Sequence, residues 1–113
     1  MINKKSINKV ILVGHIGSLP EVRFSKEGTC FASFSIATHE IRKNKNGEEE
    51  HTEWHNILAL GKLGEFVENY IKKGQLVCVE GRLSTKKWKG KDGSQRSSTE
   101  IIAGNLVPLD WKD

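Results

Sequence analysis

Three tryptophans and a run of lysines are the residues of this chain with the clearest chemical potential. Lys86-Lys87-Trp88 sets an indole directly after two cations, and Trp54 follows Thr52-Glu53. In an extended strand, side chains alternate between two faces. Arg82, Ser84, Lys86 and Trp88 then share one face and leave Val77, Val79 and Leu83 for the other. An indole on the cationic face is in the wrong register for a core residue. A flat apolar ring beside fixed positive charge suits a ligand that is both planar and anionic, as the bases and phosphates of an unpaired nucleic-acid strand are. Trp54 shares its face with the polar Asn56 and admits two readings, a second stacking surface or a partly buried core residue. Trp111, among Asp110, Lys112 and Asp113, reads as packing or disorder.

The charge distribution points the same way. Between Arg82 and Arg96 stand Arg82, Lys86, Lys87, Lys89, Lys91 and Arg96 against Asp92 alone, a segment of +5 in a chain of +4, so the remainder nets −1. A basic excess confined to one segment is a footprint for a polyanion, or else a solvated hairpin tip.

Catalytic readings fail on spacing. His51 and His55 have the i, i+4 spacing of a helical metal pair but flank Glu53-Trp54 in a strand pattern, where they stand ~13 Å apart at ~3.3 Å per residue. His15 and His39 have no cysteine or carboxylate at ligand spacing. Gly14-His-Ile-Gly17 resembles half of a dinucleotide loop, but Pro20 and the β-like Val22-Arg-Phe24 follow where a helix should begin. Gly61-Lys62 lacks the upstream glycine of a P-loop. No Ser or Cys belongs to a recognisable nucleophile signature. The expectation is a non-enzyme with no metal and no cofactor. Cys30 and Cys78 sit alone in apolar runs and read as small buried hydrophobes.

The elements that must position these residues follow from periodicity and turn residues. Val10-Ile-Leu-Val-Gly14 is a short apolar strand. Thr29 to Thr38 alternates, with Cys30, Ala32, Phe34 and Ile36 on one face. Thr52 to Leu60, Gln75 to Trp88 and Gln95 to Ala103 complete five strands. Asn46-Gly47 and Asp92-Gly93 mark hairpin turns in charged segments. Leu63, Phe66, Val67, Tyr70 and Ile71 form one apolar helical stripe, with Glu65 and Glu68 early, Lys72 and Lys73 late, and Gly74 as the predicted stop. An all-β chain of five strands with one helix between the third and fourth has the layout of a five-stranded Greek-key barrel of the OB type, here with two extended hairpins. The 113 residues make one domain, its core spanning about residues 8–103. No apolar run approaches a membrane span and no signal-peptide pattern opens the chain, so no membrane association and a cytoplasmic, nucleoid-associated location are expected.

In order and spacing, the chain resembles the bacterial single-stranded DNA-binding proteins of the homotetrameric OB-fold type. The resemblance rests on Asn8-Lys-Val-Ile-Leu-Val-Gly14, Pro20-Glu-Val-Arg23, Ala37-Thr38, Thr52-Glu-Trp-His55 and Gly61-Lys-Leu63. It continues through Lys73-Gly74, Glu80-Gly81, Thr85, Lys87-Trp88 and Thr99-Glu100. It implies a tetramer that wraps single-stranded DNA during replication, recombination and repair, with the two hairpins reaching along the strand.

Matched DNA-binding positions are Trp54, Lys62, Lys73, Lys87 and Trp88, with Lys43 and Arg23 matched more loosely. The basic segment adds Lys86 and Arg82, and Leu60 stands where the family carries phenylalanine. His55 corresponds to a subunit contact. Val10 and Leu12 are expected at the same interface, because one small barrel need not bury both sides of that strand. The family also usually carries aromatics where Ile41-Arg42 and Ser97 stand. Its disordered linker and acidic tip have no counterpart after Asn105, where Asp110 and Asp113 are the only acids. If the chain is complete as given, recruitment of the replication and repair enzymes that read such a tip is not expected; a trimmed chain and a short paralogue both fit. Two alternatives remain open: a tail-less primosomal-type OB protein of replication restart, which would be a dimer, and an OB adaptor for protein or oligosaccharide, which would show no tryptophan quenching by oligo-dT.

Overall fold

The computed structural model describes residues 5–111. Six strands and one helix follow in the order β1 (Val10–Ile16), β2 (Glu21–Phe24), β3 (Cys30–Asn44), β4 (Gly47–Leu60), α1 (Lys62–Tyr70), β5 (Leu76–Lys89) and β6 (Gln95–Pro108). The alternation that marked Cys30, Ala32, Phe34 and Ile36 holds, since all four point into the core. They meet Ile57 and Ala59 of β4, Val77 and Val79 of β5, and Ile101, Ala103 and Leu106 of β6.

The strands run β1-β5-β6-β4-β3, and β1 pairs with β3 again at His15–Ala37 and Ile16–Ile36, which closes a five-stranded barrel of the OB type. The parallel pairing of β4 with β6 at Ile57–Ile101 joins the two halves. Helix α1 lies between the third and fourth barrel strands, as expected. The short β2 adds a sixth strand beside β3, over the β-like stretch Val22-Arg-Phe24. It pairs with the start of β3, while β1 closes on the middle.

The long strands outrun their sequence signatures. Both hairpins are continuous antiparallel ladders, so β3 reaches Asn44 and β4 starts at Gly47 around a two-residue turn. Polar hairpin arms alternate without an apolar face, and hydrophobic periodicity cannot register them. Gly47 and Gly93 take φ of +122° and +83°, as expected of the glycines, but Asn46 and Asp92 do not join them at positive φ, and the first turn falls on Lys45-Asn46, with Gly47 already opening β4. Past Ala103, β6 runs on to Pro108, and buried Gln75 ties that end down by donating from Nε2 to the Asp110 carbonyl at 2.7 Å.

The helical stripe holds for Leu63, Phe66 and Val67, but the stop differs. The helix ends at Tyr70, and Ile71 already turns extended (φ −98°) with its side chain buried. Gly74 instead shapes the connector to β5, its N–H bonded to the Ile16 carbonyl at 2.7 Å. Lys72 and Lys73 consequently lie beyond the helix. Tyr70 lies tilted against Phe66 with ring centroids 5.1 Å apart and meets Trp111 edge-on at 6.4 Å, a contact that leaves Trp111 64% exposed. Cys30 and Cys78 are free thiols; burial, with Glu68 and Glu65 nearby, pushes Cys30 up from its ordinary value.

Strand β1 requires a correction. Val10 and Leu12 pack against the core, whereas Ile11 and Val13 face outward with 59% and 52% of their surface exposed. Four consecutive apolar residues carry no alternation, so only the pairing with β5 settles which two face out. Any contact of β1's outward face with a second copy belongs to Ile11 and Val13, not to Val10 and Leu12.

Candidate nucleic-acid interface

The outward faces of β2, β3 and β4 carry the opposite set of the same alternation. Arg23 pairs with Phe31 across β2–β3, and Phe31 with Leu60 across β3–β4, making one row over three strands. The next row holds Glu21, Ser33 and Leu58. These six residues, with Lys86 reaching over from β5, line an open trough of about 500 Å³. It continues past Glu21 and Ser33 into a polar groove that includes Ser35, Asn56, Ser98 and Glu100. Arg23, Leu60 and Lys86, singled out separately in the sequence, thus come together in space.

Trp54 lies on this outward face, 61% exposed, which removes the core reading for it. Its six-membered ring rests on Gly17, so close that a Cβ there would overlap the indole. The glycine in this half-motif serves the tryptophan and not a phosphate. Ser18 and Ser35 hydroxyls, 3.2 Å apart, hold the adjoining turn against β3.

Trp88 is 48% exposed and lines a cup at the tip of the β5–β6 hairpin with Gly90, Lys91, Asp92 and Arg96. Asp92 accepts from the Ser94 backbone N–H at 3.0 Å and its hydroxyl at 2.6 Å, which holds its carboxyl below the usual range. It also meets Arg96 at 3.6 Å, placing that guanidinium beside the cup. The ladder is regular from Gly81 to Lys89, so Arg82, Lys86 and Trp88 do share a face. Lys87 and Lys89 project from the other face of the ribbon, beside the Thr85–Thr99 hydroxyl pair.

Several cations are less free, or less close, than the sequence suggested. Lys86 Nζ lies 3.1 Å from Glu100 Oε1, an oxygen with no solvent access and no well-angled hydrogen bond. This lysine is therefore engaged before any ligand arrives. Arg82 lines a separate groove with Asn8, Lys9 and Glu80. Lys62 opens α1, Lys73 sits in the connector after it, and Lys43 stands exposed near the β3–β4 turn; none lines the trough. On that hairpin His51 bonds Glu53 at 2.8 Å, which keeps the Glu53 carboxyl below its ordinary value. His55 is half-buried, its Nε2 bonded to Thr38 Oγ1 at 2.9 Å. No cluster of metal-ligating side chains occurs among the described residues. Glu21, Ser33, Leu58 and Phe31 are not singled out by the sequence as site residues; of these Phe31, 38% exposed, is the one aromatic. Its signal was present, since it stands between the inward Cys30 and Ala32.

The comparisons agree with this geometry. The single-stranded DNA-binding protein of Neisseria meningitidis serogroup A is 46% identical over 105 residues, covering 92% of this chain and 60% of that protein. The corresponding protein of Xanthomonas axonopodis pv. citri is 42% identical over 106 residues, covering 93% and 59%. The chain thus spans about 60% of the length of these relatives. Among solved structures, the Plasmodium falciparum SSB complex with ssDNA superposes with a TM-score of 0.88 at 33% identity, covering 96% of this chain and all of that one. A deletion mutant of the single-stranded DNA binding protein from Thermus aquaticus gives a TM-score of 0.80 at 30% identity, covering 92% of this chain and 51% of that one. The family model for the single-strand binding protein family matches residues 7–109. By sequence and by fold, the chain belongs to the single-strand binding protein family.

Proposed function

We propose that this chain binds single-stranded DNA without strong sequence preference, as a non-catalytic component of replication, recombination and repair in the cytoplasm. The observation that carries the reading is the pair of exposed indoles, Trp54 and Trp88, on outward faces that also hold Arg23 and the basic hairpin. Bases stack on the rings while cations follow the phosphates. Lys43, Lys62, Lys73 and Lys87 extend the cationic track beyond the trough. The test is quenching of tryptophan fluorescence by oligo-dT at several salt concentrations. Each phosphate neutralised adds about −0.7 to the log–log salt slope for single strands. Replacing Lys87 and Lys89 with alanine should flatten the slope by roughly 1.4 and leave the fold intact. A slope that stays unchanged returns the +5 segment to a solvated tip, and no quenching at all favours an adaptor for protein or oligosaccharide.

The same reading includes a homotetramer. Val13 pairs with Cys78 and Cys78 with Val107, forming an outward apolar row beside Ile11. β1 pairs with β3 only at His15 and Ile16, so among the described residues its edge over residues 10–13 is open. An apolar face next to an unpaired strand edge favours association with a second copy, and His55 is the polar residue assigned to such a contact. Sedimentation at micromolar concentration should give a tetramer, and changing Ile11 and Val13 to glutamate should give smaller species. A monomeric parent protein refutes this assembly.

A further inference from the structure

Phe31 is held in place by its neighbours in the chain and yet is open to solvent. Cys30 and Ala32 on either side are 1% and 0% exposed and pin the strand to the core, while Phe31, turned the other way, keeps 38% of its surface. Directly opposed residues on neighbouring strands bring their Cβ atoms to about 4.5–5.5 Å. The ring therefore lies between the Arg23 guanidinium stem and the Leu60 side chain. Arg23 has no carboxylate partner among the described residues, whereas Lys86 at the far wall is already matched by Glu100. The trough of about 500 Å³ is of the size, roughly 300–1,000 Å³, that accepts a small organic group.

Resting on the DNA-binding reading above, we propose that this trough is a nucleotide subsite in which Phe31 stacks a base and Arg23 takes the adjoining phosphate. Leu60 supplies an apolar flank to the base, and the Lys86–Glu100 pair forms a fixed wall. An aromatic face beside an unpaired cation meets both halves of one nucleotide, the planar and the anionic. The competing role for Phe31 is a cross-strand apolar pair with Leu60 that only covers the barrel. That role predicts lost stability and no effect on binding.

Phe31→Leu separates the two, because it keeps an apolar side chain on the row and removes the ring. Affinity for a short oligo-dT should fall about fivefold to thirtyfold, with thermal unfolding close to the parent. Moving the ring one strand over, in the double variant Phe31→Leu with Leu60→Phe, should recover most of the loss. As a direct measurement on the unaltered protein, irradiation with an iodouracil-substituted oligonucleotide should crosslink the peptide containing Phe31. A parent that binds and a Phe31→Leu variant within about twofold of it overturn the subsite alone. A parent that shows no quenching by oligo-dT means that the DNA-binding reading has failed, and the subsite with it. If Phe31→Leu does not fold, the crosslink map decides: crosslinks confined to Trp54 and Trp88 overturn the proposal.

Discussion

Trp88→Ala should weaken binding to a short oligo-dT by about fivefold to a hundredfold or more, the range for losing one base–aromatic stack worth about 1–3 kcal/mol. The indole is half exposed at the end of a long ribbon and contributes nothing to the barrel core, so the thermal midpoint should barely move. On the proposed function, two features would make it the dominant platform. It lines a cup with Lys91 and Arg96, so a stacked base has cations within reach on the same hairpin tip. The tip is tied together by hydrogen bonds: the Gly90 N–H bonds the Ser94 carbonyl at 2.8 Å, and Asp92 accepts from Ser94 twice. Trp54→Ala should cost less, because that ring, although 61% exposed, lies against Gly17 and not in the cup that Lys91 and Arg96 line. Titration by intrinsic fluorescence at moderate salt compares the two, and a Trp88→Ala protein that binds like the parent sinks the stacking mechanism.

Gly14→Ala should be, with Gly81→Ala, among the most destabilising single methyls that this fold can receive. A Cβ at Gly14 would run into the Ala37 carbonyl oxygen and the Ile36 side chain, where β1 crosses β3 to close the barrel. The obstruction is backbone, which cannot rotate away, so the two strands must part at the closure itself. Overpacking of a tight core typically costs about 1–3 kcal/mol and more when the backbone must shift. At about 4–8 °C per kcal/mol for a domain of this size, the expected drop in Tm is roughly 10–20 °C. Gly104→Ala is the matched control. A Cβ there meets only the Glu80 carbonyl at 3.8 Å, an ordinary contact, and should leave the midpoint nearly unchanged. Thermal unfolding at equal protein concentration makes the comparison, since association shifts the midpoint by mass action. Equal stability of the two variants would show that the closure yields easily.

Local periodicity carries information only between residues two or four apart, and what it specified here is local. The inward set Cys30, Ala32, Phe34 and Ile36, the stripe Leu63, Phe66 and Val67, the hairpin turns at Gly47 and Gly93, and the shared face of Arg82, Lys86 and Trp88 were all legible from spacing. So was the basic hairpin, because its charges are neighbours in the chain. Tertiary structure alone decided the rest. The run Val10-Ile-Leu-Val13 is apolar on both sides, and only its register with β5 turns Ile11 and Val13 outward. The engagement of Lys86 by Glu100 and the meeting of Arg23, Phe31 and Leu60 depend on which strands pair and at what offset. Those pairings join residues up to dozens of positions apart. They are set by burying one common core, and no stretch of sequence short enough to show a period contains them.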